Sequence, residues 1–311
     1  MNEYRVRVEL GSPLLAPNVE AAWQADTVFG HLCWACLRRF GQPWLTRFLA
    51  RYRAKEPPLV ISNGYPAGLL PRPLWAPPQR REAGKEAALE AMTRTKQAGD
   101  RRLVSIAAFE QLRAGRLSDE PMNHSEVRNG LPRQHSSISR SGGVREEGAL
   151  FALPESWANE VAFYARAEEA GQEALVAFAD YVEYEGYGKR RSAGYGVVRR
   201  AVIEPFAGFA PLAEPTGFIS LSNFIPAAAD PRAGRWRLLT KRGKLGDEWA
   251  VDPNPFKRPL LFLEAGSCFQ TANPRDWYGR MIEGVAPGRP EAVQYGLAFA
   301  VPAQLEENVH A

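Results

Sequence analysis

A chain of 311 residues that is 45% hydrophobic and 24% charged can bury one large core or two smaller ones. Its formal net charge of +4 permits a polyanionic partner without demanding one, so the placement of the cations carries more weight than their sum. No stretch nears the roughly 18 apolar residues of a membrane helix. The opening MNEYRVRVEL lacks the apolar core of a secretion signal, and three cysteines make no disulfide framework. A soluble cytosolic protein, with no membrane partner, is the expectation.

Tyr4, Val6, Val8 and Leu10 alternate with Arg5, Arg7 and Glu9, the period-two pattern of a strand with one apolar face. After a turn over 11–17, Asp26 is placed to cap a helix with the stripe Val28, Phe29, Leu32, Cys33, Cys36, Leu37 and Phe40. The C-x-x-C of Cys33 and Cys36 lies on that stripe in mid-helix. It reads as core, because a redox pair needs a helix N-terminus and a zinc site needs two more ligands. A short strand at 59–62 leads into a proline-rich segment, 65–78. Residues 79–102 are charged and weakly helical. Residues 123–148 are polar, with Arg128, Arg133, Arg140 and Arg145 spread among Asn, Ser and Gly, which is the composition of a projecting hairpin.

Val161, Phe163 and Ala165 alternate as a second strand. Leu175, Phe178, Ala179 and Val182 stripe a second helix, and a further strand is expected over 195–203. The order is that of a ferredoxin-like unit carrying an insertion at about 79–148 and ending near Pro205. Beyond it, 218–224, 235–240, 259–264 and 295–301 are strand candidates punctuated by Pro and Gly. The fold class expected is therefore α+β, in two units: 1–205 and 206–311.

Between the second helix and its following strand, residues 186–196 read G-Y-G-K-R-R-S-A-G-Y-G. Four glycines give access to positive φ and let another chain approach the backbone. Successive N–H groups in such a loop form an anion-binding concavity. Lys189, Arg190 and Arg191 make a phosphate the expected anion. Tyr187 and Tyr195 are open to two readings, stacking on bases or anchoring the loop in the core. The spacing fits neither G-x-x-x-x-G-K-[ST] nor G-x-G-x-x-G. Further cations follow in Arg199, Arg200, Lys241, Arg242, Lys244, Lys257 and Arg258. His31, one position before Leu32, is a partly exposed helix residue, a phosphate or RNA contact, or a general base on a ribose 2′-hydroxyl. No carboxylate cluster suits a divalent metal, and Asp26 and Asp252 read as structural, so neither metal nor cofactor is expected.

The loop G-aromatic-G-x5-G-aromatic-G resembles that of the RAMP proteins of CRISPR systems, which have ferredoxin-like (RRM-like) folds. Within that family the chain is similar to the fourth subunit of the Csm complex, the type III-A effector. The segments that carry this are A-D-T-V-F-G-H-L-C-W-A from Ala25, Y-P-A-G-L-L-P-R-P from Tyr65, R-N-G-L-P-R from Arg128 and G-K-R-R-S-A-G-Y-G from Gly188. In the second half they are F-I-S-L-S-N-F-I-P from Phe218, N-P-F-K-R-P-L-L-F-L-E-A-G-S from Asn254 and Q-Y-G-L-A-F from Gln294. The resemblance implies two packed ferredoxin-like domains with a thumb-like insertion. It also implies a non-catalytic role in antiviral defence: holding the 5′ repeat tag of the CRISPR RNA and contacting both the large polymerase/cyclase-like subunit and the backbone RAMP subunit. The candidate RNA-binding residues are Thr27, Gly30, His31, Arg72, Arg128, Arg133, Arg140, Gly186, Gly188, Lys189, Arg190, Arg191, Ser192, Gly194, Gly196, Lys257 and Arg258. Two other readings stand: a RAMP endoribonuclease that processes precursor CRISPR RNA with His31 as general base, and an assembly subunit whose basic loop meets protein carboxylates.

Overall fold

A computed structural model describes residues 1–75, 102–116, 127–136 and 150–305. The first strand, β1 (Asn2–Leu10), buries Tyr4, Val6, Val8 and Leu10 and turns its arginines outward, as its alternation requires. There Arg7 bridges Glu160 at 2.8 Å and Glu204 at 2.6 Å. Bonds from Arg7 and Arg5 hold the Glu204 carboxyl down at about 2.

The helices α1 (Val19–Ala22), α2 (Ala25–Phe40) and α3 (Gln42–Arg53) follow β1. Short strands β2 (Leu59–Ile61), β3 (Tyr65–Pro66) and β4 (Leu69–Pro71) come next, then β5 (Leu103–Ser105) and α4 (Ile106–Arg113). In α2 the stripe faces inward: Val28, Phe29, Leu32 and Cys36 are buried, and Cys33 is half-buried. Burial pushes the Cys33 thiol up to about 12, so the C-x-x-C is a pair of inert core thiols.

The polar stretch forms two long paired strands, β6 (Arg128–Ser136) and β7 (Leu150–Trp157), with Arg133 opposite Leu153 and His135 opposite Phe151. These two strands are antiparallel partners at the base of the expected hairpin, while Arg140 and Arg145 lie outside the described residues. β8 (Glu160–Ala167), α5 (Glu169–Glu185) and β9 (Val198–Pro205) complete the first unit. Its sheet runs β2–β8–β1–β9, antiparallel throughout, with β3 also on β8. With α2 and α5 as the two crossovers, this is the strand order of a ferredoxin-like unit.

The second half comprises β10 (Gly217–Ser220), β11 (Gly234–Arg235), β12 (Leu238–Lys241), β13 (Leu260–Leu263), β14 (Cys268–Gln270), β15 (Trp277–Gly279) and β16 (Leu297–Ala303). Its main sheet runs β11–β14–β10–β16–β15. Taking β10, β11, β14 and β16 as strands one to four, their order is the same 2-3-1-4 as in the first unit, and every pair is antiparallel. The ferredoxin-like reading therefore extends to the strand order here but not to the helices: the described residues after Pro205 include no α-helix.

The reason lies in what covers the sheet. Ile219, Leu221, Cys268, Leu297, Phe299 and Val301 on one face belong to the same hydrophobic core as β1, α2 and α5. Phe218, Phe224, Phe269, Tyr278 and Ala300 form a smaller cluster on the other face. A sheet face already buried against a neighbouring layer has no need of its own helix. Polar ties cross the same boundary. The Tyr295 hydroxyl accepts from Ile61 N–H at 2.9 Å, and the buried Arg166 donates to Ala300 O at 2.8 Å beneath the Phe299 ring.

Candidate nucleic-acid interface

Helix α5 stops at Glu185 because Gly186 adopts φ 75° and returns its N–H to Val182 O at 2.9 Å. The chain then pinches. Tyr187 N–H donates to Gly196 O at 2.7 Å, and Gly196 N–H donates to Pro13 O at 2.9 Å. A Cβ on Gly186 would lie 2.8 Å from Gly196 O, and one on Gly196 would overlap the Tyr187 carbonyl oxygen. These two glycines are there for backbone-on-backbone packing. Gly188 and Gly194, both at φ 85°, have open space beyond Cα, so only their conformation calls for glycine.

The pinch drives both tyrosines inward. Tyr187 is fully buried, lies parallel to Trp23 with ring centroids 3.7 Å apart, and donates its hydroxyl to Ala22 O at 2.9 Å. Tyr195 is buried too. Its hydroxyl donates to the Glu155 carboxylate on β7 and stands 3.2 Å from His135 Nε2 on β6. Of the two readings left open by the sequence, both rings take the anchor and neither offers a face to a base.

His31 props up the loop from below. Its Nε2 accepts the Gly188 N–H at 3.3 Å, which places the imidazole proton on Nδ1. Burial first, then the Arg191 charge, push its pKa down to about 3 against a smaller opposing effect from Asp247. The ring is neutral at physiological pH.

The three cations divide. Lys189 and Arg190 are exposed. Arg190 sits at φ 55° with its guanidinium 5.6 Å from the Phe151 ring. Arg191 turns inward to the Tyr181 hydroxyl at 3.1 Å and to Asp247 of the second unit at 3.3 Å. Asp247 also receives Arg38 at 2.7 Å and the Tyr181 hydroxyl. Burial alone would raise this carboxyl, but Tyr181, Arg38 and Arg191 together hold it below its ordinary value. The N–H groups of Lys189, Arg190 and Ser192 meet no acceptor among the described residues, so the loop crest offers cations and backbone donors together.

The hairpin base brings more cations to this crest. Arg133 lies 3.6 Å from Glu155. Arg128 lines a cavity of about 270 Å³ with Glu155, Trp157 and Pro13, the residue whose carbonyl holds Gly196. Arg128, Arg133, Lys189 and Arg190 are thus gathered around one loop.

The remaining sequence candidates lie apart from it. Helix α2 begins at Ala25, two residues earlier than an Asp26 cap would place it. Gln24 is the N-cap residue, and the Ala25 N–H is taken by Asn63 Oδ1 at 2.9 Å. Asp26 instead pairs with Lys241 at 2.6 Å, and Thr27 Oγ1 receives the same ammonium at 3.3 Å. Gly30 is exposed on α2 with nothing near its Cα. Lys257 donates to Gln294 Oε1 at 2.9 Å, and burial lowers its pKa. Arg258 reaches Glu283 O at 3.3 Å, and Arg72 lines a separate pocket.

No family model matches the sequence, and no curated sequence is significantly similar to it. Solved structures are similar in fold. A chain in the crystal structure of a Csm1–Csm4 cassette in complex with pppApA superposes with a TM-score of 0.65 at 18% identity, covering 99% of this chain and 100% of that one. The fold is one found in Csm1–Csm4 cassettes. A cassette in complex with cA4 gives 0.61 at 18% identity, with 98% and 100% covered. A chain of the Csm3–Csm4 subcomplex in the type III-A CRISPR-Cas interference complex gives 0.56 at 12%, with 97% and 99% covered. The shared architecture covers nearly the whole of both chains.

Sequence reasoning missed Trp23, Glu155 and Asp247, three residues whose side chains help hold the loop in place. None has a local signal: each acts on a partner more than 35 positions away.

Proposed function

We propose that this protein is a non-catalytic RNA-binding subunit of a type III-A CRISPR effector, of the RAMP kind found as the fourth Csm subunit. It grips the 5′ repeat tag of the CRISPR RNA and joins the large subunit to the backbone RAMP subunits. The observation that carries the reading is the pinned Gly-rich loop, whose crest presents Lys189, Arg190 and open N–H groups beside Arg128 and Arg133. Backbone donors and cations on a rigid loop suit a sugar–phosphate chain. The full-length fold similarity to chains of Csm1–Csm4 and Csm3–Csm4 assemblies supports the partner assignment.

His31 supports gripping over cutting. Its free lone pair is already committed to Gly188, and a base with a pKa near 3 holds a proton too weakly to abstract one from a 2′-hydroxyl at neutral pH.

The test is binding of a labelled repeat-derived RNA across a salt series, together with incubation of the same RNA in EDTA. The reading expects a log affinity that falls linearly with log salt and RNA that stays intact. Absence of binding at low salt supports the assembly-only reading. Cleavage that disappears in His31→Ala supports the endoribonuclease.

A further inference from the structure

A second concavity of about 350 Å³ opens on the other side of the α1–α2 corner from the Gly-rich loop. The two share that corner: Tyr187 holds Ala22 O and stacks on Trp23, while the flanking Ala21 and Gln24 line the pocket. Its walls mix apolar side chains such as Leu74 and Leu103 with side-chain amides, and Arg102 and Arg237 stand exposed at its edge.

The amides are oriented by what they already bind. Asn63, 4% exposed, accepts from the N–H groups of Ala25 at 2.9 Å and Asn223 at 3.2 Å. Asn223, 7% exposed, accepts from Ala265 N–H at 2.8 Å. Gln24 Oε1 accepts from Lys241 Nζ at 2.6 Å. Each partner is an N–H donor, so each side-chain oxygen is identified as the acceptor; Asn63 also bonds the Tyr65 side chain, which leaves the NH₂ groups of Asn223 and Gln24. The Asn223 NH₂ has no acceptor among the described residues although its residue is more than nine-tenths buried, and Glu264 beside it has no cationic partner among them. The pocket therefore offers amide donors, the carboxylates of Glu264 and Glu20, and cations at the rim.

We propose that this pocket reads a guanine base of the bound RNA, a deepening that rests on the RNA-binding reading above. Guanine presents O6 and N7 as acceptors for amide NH₂ groups. Its N1–H and N2–H₂ point the same way and suit a single carboxylate. Adenine has no carbonyl and offers a carboxylate only its amino group. Cytosine offers one amino group, and uracil one N–H. Arg102 and Arg237 sit where the flanking phosphates leave the pocket.

The full-length chain is titrated calorimetrically with GMP, AMP, CMP and UMP, and by fluorescence anisotropy with octauridylate and its single-guanosine variants. GMP binds about tenfold more tightly than the other three, and guanosine at one register of the octamer gains a similar factor. Glu264→Gln and Asn223→Asp each remove the difference and leave octauridylate affinity unchanged. The aspartate keeps the acceptor that Ala265 N–H uses and replaces the donor. Equal affinity for the four mononucleotides, preference for another base, or a guanine preference that survives both substitutions overturns the assignment. Octauridylate that does not bind at low salt overturns the RNA-grip reading, whereas octauridylate that binds with no gain from guanosine overturns the pocket alone.

Discussion

Gly196→Ala is the sharpest probe of the loop. The new Cβ falls on the Tyr187 carbonyl oxygen, so the two strands of the pinch must part. Parting breaks the 2.7 Å bond from Tyr187 N–H to Gly196 O, a loss of about 1 kcal/mol. Holding alanine at φ 62° costs about 1 kcal/mol more. The parallel Trp23–Tyr187 contact loosens as Tyr187 moves, at a cost of about 1 kcal/mol in lost apolar burial. The sum is about 3 kcal/mol, enough to open the loop locally in a substantial fraction of molecules. Gly194→Ala, which meets open space, carries the conformational cost alone, about 1 kcal/mol. Hydrogen exchange over 186–196 measures the opening directly, and anisotropy with labelled RNA measures its consequence. Gly196→Ala is expected to deprotect Tyr187 N–H and to cut RNA affinity at least tenfold, with Gly194→Ala near wild type in both. Equal behaviour of the two variants would refute the pinch as the source of the loop's shape.

Other expectations follow from the same geometry. Tyr187→Phe keeps the stack on Trp23 and loses the bond to Ala22 O, so thermal denaturation should show a loss of about 1 kcal/mol with RNA affinity unchanged. His31 gains its proton near 6.5 when unfolded but only near 3 when folded, so the unfolded chain binds more protons between those values. Its contribution is complete above pH 6.5 and declines as pH falls toward 3, and the stability gap between wild type and His31→Gln should narrow over that window. A double-mutant cycle on Arg191→Ala and Asp247→Asn should return a coupling of about 1 kcal/mol, because the pair joins the loop to the second unit across a largely desolvated contact. Lys189→Ala and Arg190→Ala should each lower the salt slope of RNA binding by about 1, whereas Arg191→Ala should leave the slope unchanged; equal slopes for all three variants would contradict the division of the cations.

Long periodic elements were legible in the sequence. The alternation in 4–10 and the stripes of α2 and α5 are each set by one buried face, so the pattern of apolar residues is the structure. The strands β11, β14 and β15 were not, since two or three residues cannot display a period, and they exist because neighbours supply the ladder. The Gly-rich loop was legible as a motif, but the division of labour within it was not. Whether Arg191 faces solvent or Asp247 depends on a residue 56 positions away. The start of α2 was misjudged for a similar reason: its first N–H is satisfied by Asn63 across a turn rather than by the nearby Asp26.

The second sheet copies the strand order of the first yet lends its inner face to a common core. A division at Pro205 is therefore one of topology and not of mechanics. With Ile219, Phe299 and Val301 packed among the residues of α2 and α5, the halves have no hinge about which to rock. Neither half, expressed alone, would keep its apolar face from water. The common core fixes the separation between the loop crest and the pocket beside Asn223, and an RNA strand bound as proposed would have to conform to that spacing.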